Sequence, residues 1–374
     1  MKLYFTKIIP VILIGFIYCF SFHNLQSQCN GALELCDKKY NEVAYLTTHN
    51  AYNVAQDSFE FPNQNFNIAT QLSEGVRGLM IDVYDFNGES LVYHSFSGLG
   101  SAPFQENLTA IKAFLDENPN EIVTIILECY TSANAIENDL EETGLMDYLY
   151  TFKSEDGWQS LQEMIDNNDR LVILSDRDDA TEDQAWYHYV WDHAVETHFS
   201  AASYLDFSCD YNRGDASNDL FILNHFISGE ISGDPEQALL INEGSYLSIR
   251  AIECQQITGK LPNFVTVDFY ELGNTLDVVN ELNGVIPDTD INSINVNSLS
   301  ISVYPNPTQN HLTIENNFTE INDLALYSVL GEKIQLNKEL INSNSSKISL
   351  DVSQLATGFY FIRVNEGVVK FFKE

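Results

Sequence analysis

Polar and titratable side chains stand at the carboxyl ends of four successive apolar segments of the sequence. His49 and Asn50 follow the first segment, Asp82 ends the second, His94 ends the third, and Glu128 ends the fourth. In an α/β barrel the carboxyl ends of the strands converge on one mouth, which is where such barrels hold their active sites. The sequence therefore predicts that two imidazoles, one amide and two carboxylates meet in one site.

This set of side chains suggests one class of chemistry. A neutral histidine takes a proton from an attacking hydroxyl, while a protonated histidine gives one to the leaving oxygen. Asn50, Asp82 and Glu128 offer the oxygen ligands that a hard cation such as calcium prefers. A cation there would neutralise a phosphoryl oxygen and lower the pKa of a coordinated hydroxyl. We therefore expect phosphodiester cleavage, with His49 and His94 as the acid–base pair.

The elements that must position these residues alternate along the chain. The predicted strands are Val43–Thr47, Leu79–Tyr84, Leu91–His94, Ile122–Glu128, Leu171–Ser175, Phe221–Asn224 and Phe264–Phe269. The predicted helices are Phe104–Asn118, Ala135–Tyr150, Trp158–Asn168, Glu182–Phe199 and Pro235–Glu243. Several strands are almost continuously apolar, as expected of parallel strands covered on both faces. Repeated strand–helix units predict a closed α/β barrel whose eighth strand lies between residues 195 and 208.

The charge of the chain limits its partners. Its 374 residues include 18 Lys and Arg against 54 Asp and Glu, a formal net charge of −36. A surface this acidic repels nucleic-acid phosphates, so we expect no nucleic-acid partner. Anionic membranes also repel it, unless a metal ion or a local basic patch offsets the charge.

The amino terminus has the pattern of an export signal. Lys2 and Lys7 precede the apolar run Ile8–Phe22, and small and polar residues follow that run. We predict a cleaved signal peptide over residues 1–27, with an uncleaved anchor as the alternative. The predicted organisation continues with a barrel over 28–285, a linker over 286–300 and a second domain over 301–374.

Export favours disulfide pairing of the cysteines. Cys29 and Cys36 are close enough in sequence to close a short loop, and Cys209 and Cys254 have polar flanks that suit a second bridge. Cys129 ends an apolar strand and is expected to be unpaired and buried. Zinc binding is the alternative, but the sequence contains no Cys-x-x-Cys.

Residues 301–374 are strand-like throughout and predict a small all-β sandwich. The predicted strands are Ile301–Tyr304, His311–Glu315, Leu324–Ser328, Lys347–Leu350 and Phe359–Val364. Three motifs in this tail, Val303–Pro307, Leu326–Gly331 and Leu355–Val364, resemble the C-terminal sorting domain of the bacterial type IX secretion system. The resemblance implies that the secretion machinery is a partner and that the protein is secreted or attached to the cell surface. An ordinary adhesive β-domain is the alternative.

The barrel segments resemble the X domain of phosphatidylinositol-specific phospholipases C. The motifs that carry the resemblance are Thr48–Tyr52, Gly75–Asp82, Tyr93–Ser95 and Ile125–Glu128. Three later segments resemble the secreted branch of that family: Asn212–Gly214, Leu223–Phe226 and Asn263–Tyr270. The resemblance implies a distorted TIM (β/α)8-type barrel whose substrate is a phosphoinositide or a related phosphodiester.

The resemblance carries over to the candidate site position by position. His49 and His94 match the two catalytic histidines, which assigns His49 as the base or transition-state stabiliser and His94 as the acid. Asn50, Asp82 and Glu128 match three calcium ligands of the metal-dependent members. Calcium is therefore the implied cofactor.

One position departs from the family pattern. Met80 stands where metal-dependent members have a fourth, acidic ligand, which leaves a weaker calcium site or a shifted base. Asp85 is a candidate substitute for that ligand. Arg77 is expected to orient phosphate, with a structural salt bridge as the alternative. Asp268 is expected to orient His49, with a simple hydrogen-bonded or exposed carboxylate as the alternative.

Three other features have structural interpretations. The acidic segment Asp176–Asp183 is interpreted as a solvated loop, with a second cation site as the alternative. His188, His193 and His198 would not share one helix face, so they are interpreted as packing or surface residues. The segment Phe96–Gly100 is interpreted as a loop, the alternative being a lip that touches a membrane surface transiently.

These observations lead to one leading expectation and two alternatives. We expect an exported phosphoric diester hydrolase of the phospholipase C type, assisted by calcium and active in lipid metabolism. The first alternative keeps the barrel and changes the substrate to a glycerophosphodiester or a glycosyl-phosphoinositol anchor. The second is a catalytically impaired barrel that serves as a surface binding module.

Overall fold

The computed structural model of the protein describes most of the chain. The described residues are 28–57, 59–228, 233–285, 301–305, 308–316, 324–328, 333–335, 341–344, 347–356, 358–364 and 367–373. The predicted signal peptide, 1–27, and the predicted linker, 286–300, lie outside these ranges. The chain divides into two compact units, Met1–Pro287 and Asp288–Glu374, each of which is described by itself.

Eleven strands form one sheet in the described part of the first unit. They are β1 (Tyr45–Thr48), β2 (Gly78–Phe86), β3 (Glu89–Val92), β4 (Ala102–Pro103), β5 (Val123–Tyr130), β6 (Leu171–Ser175), β7 (Tyr187–Tyr189), β8 (Ala194–Thr197), β9 (Tyr211–Arg213), β10 (Leu220–His225) and β11 (Phe264–Val267). Five of them, β1, β6, β8, β10 and β11, are buried at every position, as expected of strands covered on both faces.

Eight α-helices cover this sheet or connect its strands. They are α1 (Ile68–Ser73), α2 (Phe104–Glu117), α3 (Ala133–Thr143), α4 (Leu161–Asn167), α5 (Val190–His193), α6 (Pro235–Ile241), α7 (Gly244–Thr258) and α8 (Thr275–Asn283). Helix α2 shows why they form: Phe104, Leu108, Ile111 and Leu115 recur at helical spacing, and all four are buried. The helix ends just before Pro119, which cannot continue it.

The strand order is that of a distorted (β/α)8-type barrel. The path through the sheet is β7-β6-β5-β2-β1-β11-β10-β8-β9, and every neighbouring pair from β7 to β8 is parallel. The predicted fold class is therefore confirmed. The prediction of a completely closed barrel was wrong. Within the described residues β7 and β8 form no ladder, and the short helix α5 lies between them in the chain.

Two predicted elements of the barrel were also wrong. The segment Leu91–His94 was predicted to be a barrel strand with His94 at its end. The observed strand β3 is instead an antiparallel hairpin partner of β2 and ends before His94. The predicted helix Glu182–Phe199 is instead divided between β7, α5 and β8. Buried aromatic residues such as Tyr187 pair with β6, and this tertiary pairing overrides the helical pattern. Strand β8 lies close to where the eighth strand was expected.

Alternation along the strands determines which side chains enter the barrel. Met80 and Ile126 belong to a cluster that includes Phe264, and this cluster fills the interior. Because side chains on one face recur every second residue, Asp82 and Glu128 stand on the same inner face, one step closer to the carboxyl end. The apolar interior thus forms a floor beneath two carboxylates.

The second unit consists of two four-stranded antiparallel sheets in its described residues. One has the order β12 (Ile301–Tyr304), β13 (His311–Asn316), β17 (Lys347–Asp351), β16 (Ile341–Asn344), and the other β15 (Lys333–Ile334), β14 (Leu324–Ser328), β18 (Gly358–Val364), β19 (Gly367–Lys373). Leu312 and Ile314 of the first sheet and Leu326 and Ile362 of the second are buried in one cluster. The prediction of a small all-β domain is confirmed.

The cysteines pair as predicted. Disulfides join Cys29 to Cys36 and Cys209 to Cys254, while Cys129 is unpaired and buried. The first bridge closes a loop ahead of β1, and the second ties the segment before β9 to α7. Among the described helices, none combines the length and apolar character needed to cross a membrane.

Two buried histidines are held neutral by their burial. The backbone N–H of Phe152 donates to Nε2 of His188, so Nδ1 of His188 carries the proton donated to the Ile173 carbonyl oxygen. Burial lowers the pKa of His188 to about 4. His225 lies buried beside Arg250, and burial lowers its pKa to about 3. Both residues therefore serve packing rather than chemistry.

We expect His188→Gln to reduce the pH dependence of the free energy of unfolding. Because the unfolded imidazole binds a proton below its ordinary pKa of about 6.5 and the folded one does not, stability is present above that pH and lost as the pH falls toward 4. The free energy of unfolding should fall between pH 8 and pH 5 by about 2 kcal/mol less in the variant than in the wild type.

Urea unfolding followed by tryptophan fluorescence measures this fall. The 3 tryptophans, Trp158, Trp191 and Trp186, all lie in the first unit, so the signal reports that unit alone. Equal falls in variant and wild type would show that His188 is not held neutral.

Candidate active site

A cavity of about 410 Å³ opens at the carboxyl ends of the barrel strands. Six of the seven candidate site residues from the sequence line it: His49, Asn50, Asp82, His94, Glu128 and Asp268. The structure brings these six side chains to one cavity, although His94 reaches it from a hairpin rather than from the end of a barrel strand. The seventh candidate, Arg77, lies elsewhere.

His49 is held by a buried carboxylate and an aromatic ring. It follows β1 directly, and its Nδ1 lies 2.9 Å from Oδ1 of Asp268, which follows β11 and is 3% exposed. Its ring stacks on Phe226 with 3.8 Å between centroids and 6° between planes. Because Nδ1 is engaged by Asp268, Nε2 is the nitrogen available to a ligand in the cavity.

His94 is paired with a different carboxylate. Its Nδ1 lies 3.2 Å from Oδ2 of Asp82, and its side chain is 42% exposed. The hydrogen bond to Asp82 raises the pKa of His94, burial opposes the rise, and the charges of Asp82, Glu128 and Asp268 add to it. His94 is therefore well suited to carry a proton.

Asp82 and Glu128 are direct neighbours on parallel strands. Their Cα atoms are in register between β2 and β5, so both carboxylates share the inner face. Loss of solvent contact raises the pKa of Glu128, and the charge of Asp82 raises it further, while a hydrogen bond from the Tyr130 hydroxyl opposes the rise. Two carboxylates that face one another on neighbouring strands disfavour each other's ionisation, and a positive charge near them would stabilise both.

Three tyrosine rings stack beside this pair. Tyr84 lies between Tyr93 and Tyr130, with centroid distances of 4.0 Å and 4.3 Å. Tyr93 directly precedes His94, and Tyr130 donates its hydroxyl proton to Glu128. The stack therefore limits the positions from which the side chains of His94 and Glu128 reach the cavity.

The oxygen donors near the cavity fit a hard cation in type. Asn50, Asp82 and Glu128 contribute an amide and two carboxylates, which are the ligands that calcium prefers. Within the described residues, no cluster of three or more His, Cys, Asp and Glu side chains is arranged to hold a metal ion. Met80 lines the same cavity and contributes a thioether in place of an acid. Such a site would be completed by water or substrate oxygens.

Asp85 does not replace the missing acid. It lies in the exposed end of β2, and its Oδ1 accepts a hydrogen bond of 2.8 Å from the backbone N–H of Gly88 in the hairpin turn. Since Asp82 points into the barrel, a residue three positions later lies on the other face of the strand.

Arg213 was not identified from the sequence as a site residue. Its guanidinium lies between the rings of Trp191 and Phe199, 4.4 Å and 4.7 Å from their centroids, and it pairs with the buried carboxylate of Glu196. All four residues line the cavity. The pattern around Glu196 was interpreted as helical, and the segment Asn212–Gly214 was noted only for its family resemblance, so Arg213 was not assigned to the cavity.

Asp176 is a second residue that the sequence analysis did not place in the site. It follows β6, lines the cavity, and accepts a hydrogen bond of 2.8 Å from the backbone N–H of Cys129. Burial raises the pKa of its carboxyl group. The strand-end rule that located Asp82 and Glu128 could have located Asp176, but the acidic residues after it favoured a solvated loop.

Arg77 serves the structure at the opposite end of β2. Its Nε donates to Glu121 at 2.7 Å, and its Nη1 donates to the carbonyl oxygens of Leu72 and Val76, each at 2.7 Å. Its guanidinium also lies 4.8 Å from the ring centroid of Phe114. These contacts occupy Arg77 away from the cavity, in line with the structural alternative rather than with phosphate binding.

The fold and cavity define an α/β barrel with a histidine pair at its mouth. The chain belongs to the PI-PLC X family, whose model matches residues 35–283. A second family model, the secretion system C-terminal sorting domain, matches residues 302–374. This sorting domain implies the type IX secretion machinery and marks the protein for secretion or attachment to the cell surface.

Three relatives support the assignment. A PI-PLC X domain-containing protein of Arabidopsis thaliana is 30% identical over 275 residues, covering 66% of this chain and 63% of its own length. An uncharacterized secreted protein of Arthroderma benhamiae is 28% identical, covering 66% and 61%. A second protein of that fungus, PI-PLC X domain-containing protein 1, is 26% identical, covering 69% and 90%. The chain thus spans less than two thirds of the first two relatives.

Solved structures of bacterial enzymes are similar at lower identity. The phosphatidylinositol-specific phospholipase C from Listeria monocytogenes has a TM-score of 0.46 and 14% identity, covering 67% of this chain and 95% of that chain. A mutant of the Staphylococcus aureus enzyme has a TM-score of 0.47 and 13% identity, covering 66% and 93%.

We expect Arg77→Met to destabilise the barrel by about 3 kcal/mol, because it removes three hydrogen bonds and leaves the half-buried Glu121 carboxylate unpaired. Arg177→Met is the matched control, since Arg177 pairs with Asp179 at the surface and should cost under about 1 kcal/mol. Urea unfolding followed by tryptophan fluorescence compares the two. Equal stability of the Arg77 variant and the wild type would contradict the structural role and favour phosphate binding by Arg77.

Proposed function

We propose that the protein is a secreted phosphodiesterase of the phospholipase C type that cleaves phosphatidylinositol or a related phosphodiester. The observation that carries this proposal is the pairing of each histidine with its own carboxylate, His49 with Asp268 and His94 with Asp82, around one cavity. Each carboxylate orients one imidazole, and two oriented imidazoles at one cavity provide the proton acceptor and the proton donor that in-line cleavage of a phosphodiester needs.

The proposed reaction is an internal displacement at phosphorus. The inositol hydroxyl next to the phosphate gives its proton to Nε2 of His49 and forms a new bond to phosphorus. The bond from phosphorus to the diacylglycerol oxygen breaks, and His94 supplies the proton that this oxygen takes up. The products are a cyclic inositol phosphate and diacylglycerol. Asp268 keeps His49 in the tautomer with a free Nε2 and stabilises the charge that forms on it.

Charge in the cavity supports a role for calcium. Five of the described residues that line the cavity are acidic. Arg213 is the one described lining residue that carries a permanent positive charge. The acidic residues are Asp82, Glu128, Asp176, Glu196 and Asp268. An anionic phosphodiester is repelled by this lining unless a cation offsets it. We propose that Asn50, Asp82 and Glu128 hold calcium, which when bound neutralises phosphoryl oxygens and lowers the pKa of the attacking hydroxyl.

The remaining walls fit the rest of such a substrate. Arg213 offers a fixed cation for headgroup oxygens, and Phe226 and Ile227 form an apolar side of the cavity. Phe96 and Phe61, on loops at the same end of the barrel, are 64% and 47% exposed. We propose that these rings contact the membrane surface transiently while a lipid headgroup enters the cavity.

We expect the purified protein to release cyclic inositol phosphate from phosphatidylinositol vesicles, as measured by phosphorus NMR. His49→Ala and His94→Ala should each lower kcat by about 100- to 10,000-fold, because each removes one proton transfer. His311→Ala, an exposed histidine of the second unit, is the control and should keep full activity.

The same assay separates the alternatives. Cleavage of glycerophosphoinositol but not of the vesicles would show a soluble phosphodiester substrate. Vesicle binding that survives His49→Ala, without turnover by the wild type, would show a binding module. Full activity of either histidine variant would contradict the site.

We expect a chelator to abolish activity and Met80→Glu to lower the dissociation constant for calcium by about tenfold, because it adds a carboxylate to a site that has two. Met80→Gln, which has similar length and no charge, should not do so. Asp85→Asn should leave calcium binding unchanged, since Asp85 lies in the hairpin turn. Isothermal titration calorimetry measures the affinities, and activity that resists the chelator would refute the calcium proposal.

A further inference from the structure

Asn63 lies between the two halves of the candidate site. It belongs to the loop between β1 and α1 and is 3% exposed. Its backbone N–H donates to the carbonyl oxygen of Asn53 at 2.9 Å, and its carbonyl oxygen accepts from the backbone N–H of Phe269 at 2.8 Å. The main chain of Asn63 therefore joins the loop after β1 to the residue that follows Asp268.

The side chain of Asn63 makes three further hydrogen bonds. Its Nδ2 donates to Oδ1 of Asp268 at 3.1 Å. Its Oδ1 accepts from Nδ2 of Asn53 at 2.7 Å and from Nδ2 of Asn50 at 3.2 Å. The opposite orientation of this amide would place its oxygen against a carboxylate and its NH2 group against two other NH2 groups. One orientation alone satisfies all three partners.

The first consequence concerns His49. Oδ1 of Asp268 receives hydrogen bonds from both His49 and Asn63, so the amide of Asn63 holds the carboxylate in the position where it meets Nδ1. Without that donor, the carboxylate is free to rotate away from the imidazole. The proton on Nδ1, and with it the free Nε2, then loses its fixed position.

The second consequence concerns Asn50. Its Nδ2 donates to Oδ1 of Asn63 at 3.2 Å, so its NH2 group faces the protein. Its Oδ1 is consequently the atom presented to a cation. A hydrogen bond from a neighbour commonly orients a metal ligand in this way. Asn63 thus selects which atom of Asn50 faces the candidate calcium site.

We propose that Asn63 is a positioning residue that orients the His49–Asp268 pair and the Asn50 ligand together. This inference rests on the proposed function for its kinetic consequences, but the orientation itself is measurable without turnover. Residues that support a catalytic or metal-binding group in this way commonly contribute about 10- to 100-fold to activity or affinity.

Two substitutions separate the two roles. Asn63→Asp keeps an oxygen that accepts from Asn50 and Asn53, but it removes the donor to Asp268 and places a second carboxylate against it, so it should disturb His49 without weakening calcium binding. Asn63→Ala removes all three hydrogen bonds and should disturb both.

The matched control is Asn263→Ala. Asn263 is fully buried at the amino end of the barrel, where it accepts from the backbone N–H of Phe221 at 2.9 Å and donates to the carbonyl oxygens of Asn41 and Val43. Its replacement removes a similar set of hydrogen bonds far from the cavity. The loss of thermal stability should therefore be similar, without any effect on the site.

Three measurements on the full-length mature protein decide the proposal. Kinetics with phosphatidylinositol should show kcat lowered about 10- to 100-fold in Asn63→Ala and unchanged in Asn263→Ala. NMR with ¹⁵N-labelled histidine should show the His49 Nδ1 proton, assigned by its loss in His49→Ala, shifted in both Asn63 variants only. Calorimetry with calcium should show weaker binding in Asn63→Ala only.

The outcomes distinguish this inference from the proposed function. If the wild type cleaves no phosphodiester tested, the proposed function fails, and the NMR signal still decides whether Asn63 orients His49. An unchanged His49 signal in both Asn63 variants overturns the inference, whatever the activity. Equal losses of kcat in Asn63→Ala and Asn263→Ala also overturn it, because the effect would then be general destabilisation.

Discussion

The parallel pairing of β1 with β2 and β11 brings the histidine and carboxylate groups of the mouth together. Thr48 is in register with Leu79 on one side and Val267 on the other. The residues that follow β1 and β11, His49 and Asp268, therefore emerge at the same level and meet through one hydrogen bond. The carboxyl ends of parallel strands point the same way, so no long-range loop is needed to assemble the pair.

Several carboxylates lie close together at the mouth, above an apolar interior. Most of them are paired with a positively charged or titratable side chain. Glu196 is matched by Arg213, Asp268 by His49, and Asp82 by His94. Glu128 accepts a hydrogen bond from the hydroxyl of Tyr130, while partial desolvation and the charge of Asp82 raise the pKa of its carboxyl group. The excess of carboxylates favours a protonated His94 and a bound cation through the same electrostatic attraction.

Neutral amides do much of the positioning in this charged environment. Asn50, Asn53 and Asn63 lie close together, and each is nearly inaccessible to solvent. An amide donates and accepts without titrating, so it holds a carboxylate or a ligand in place without adding charge to the cavity. The disulfides and the aliphatic layer between strands and helices keep this arrangement rigid, while the sorting domain forms a separate unit with its own core.

The sequence alone determined the strands and helices that have strong local signals, and the polar residues that lie at the ends of those strands. Apolar strands followed by His49, Asp82 and Glu128 predict both the barrel and the cluster of polar side chains at its mouth, since periodicity and strand polarity are local properties. Tertiary structure decided the rest. Arg77 was expected to orient phosphate, yet of Arg77 and Arg213 it is Arg213 that lines the cavity. Which residue meets which across the barrel depends on strand order, register and burial, which arise from contacts between residues far apart in the chain.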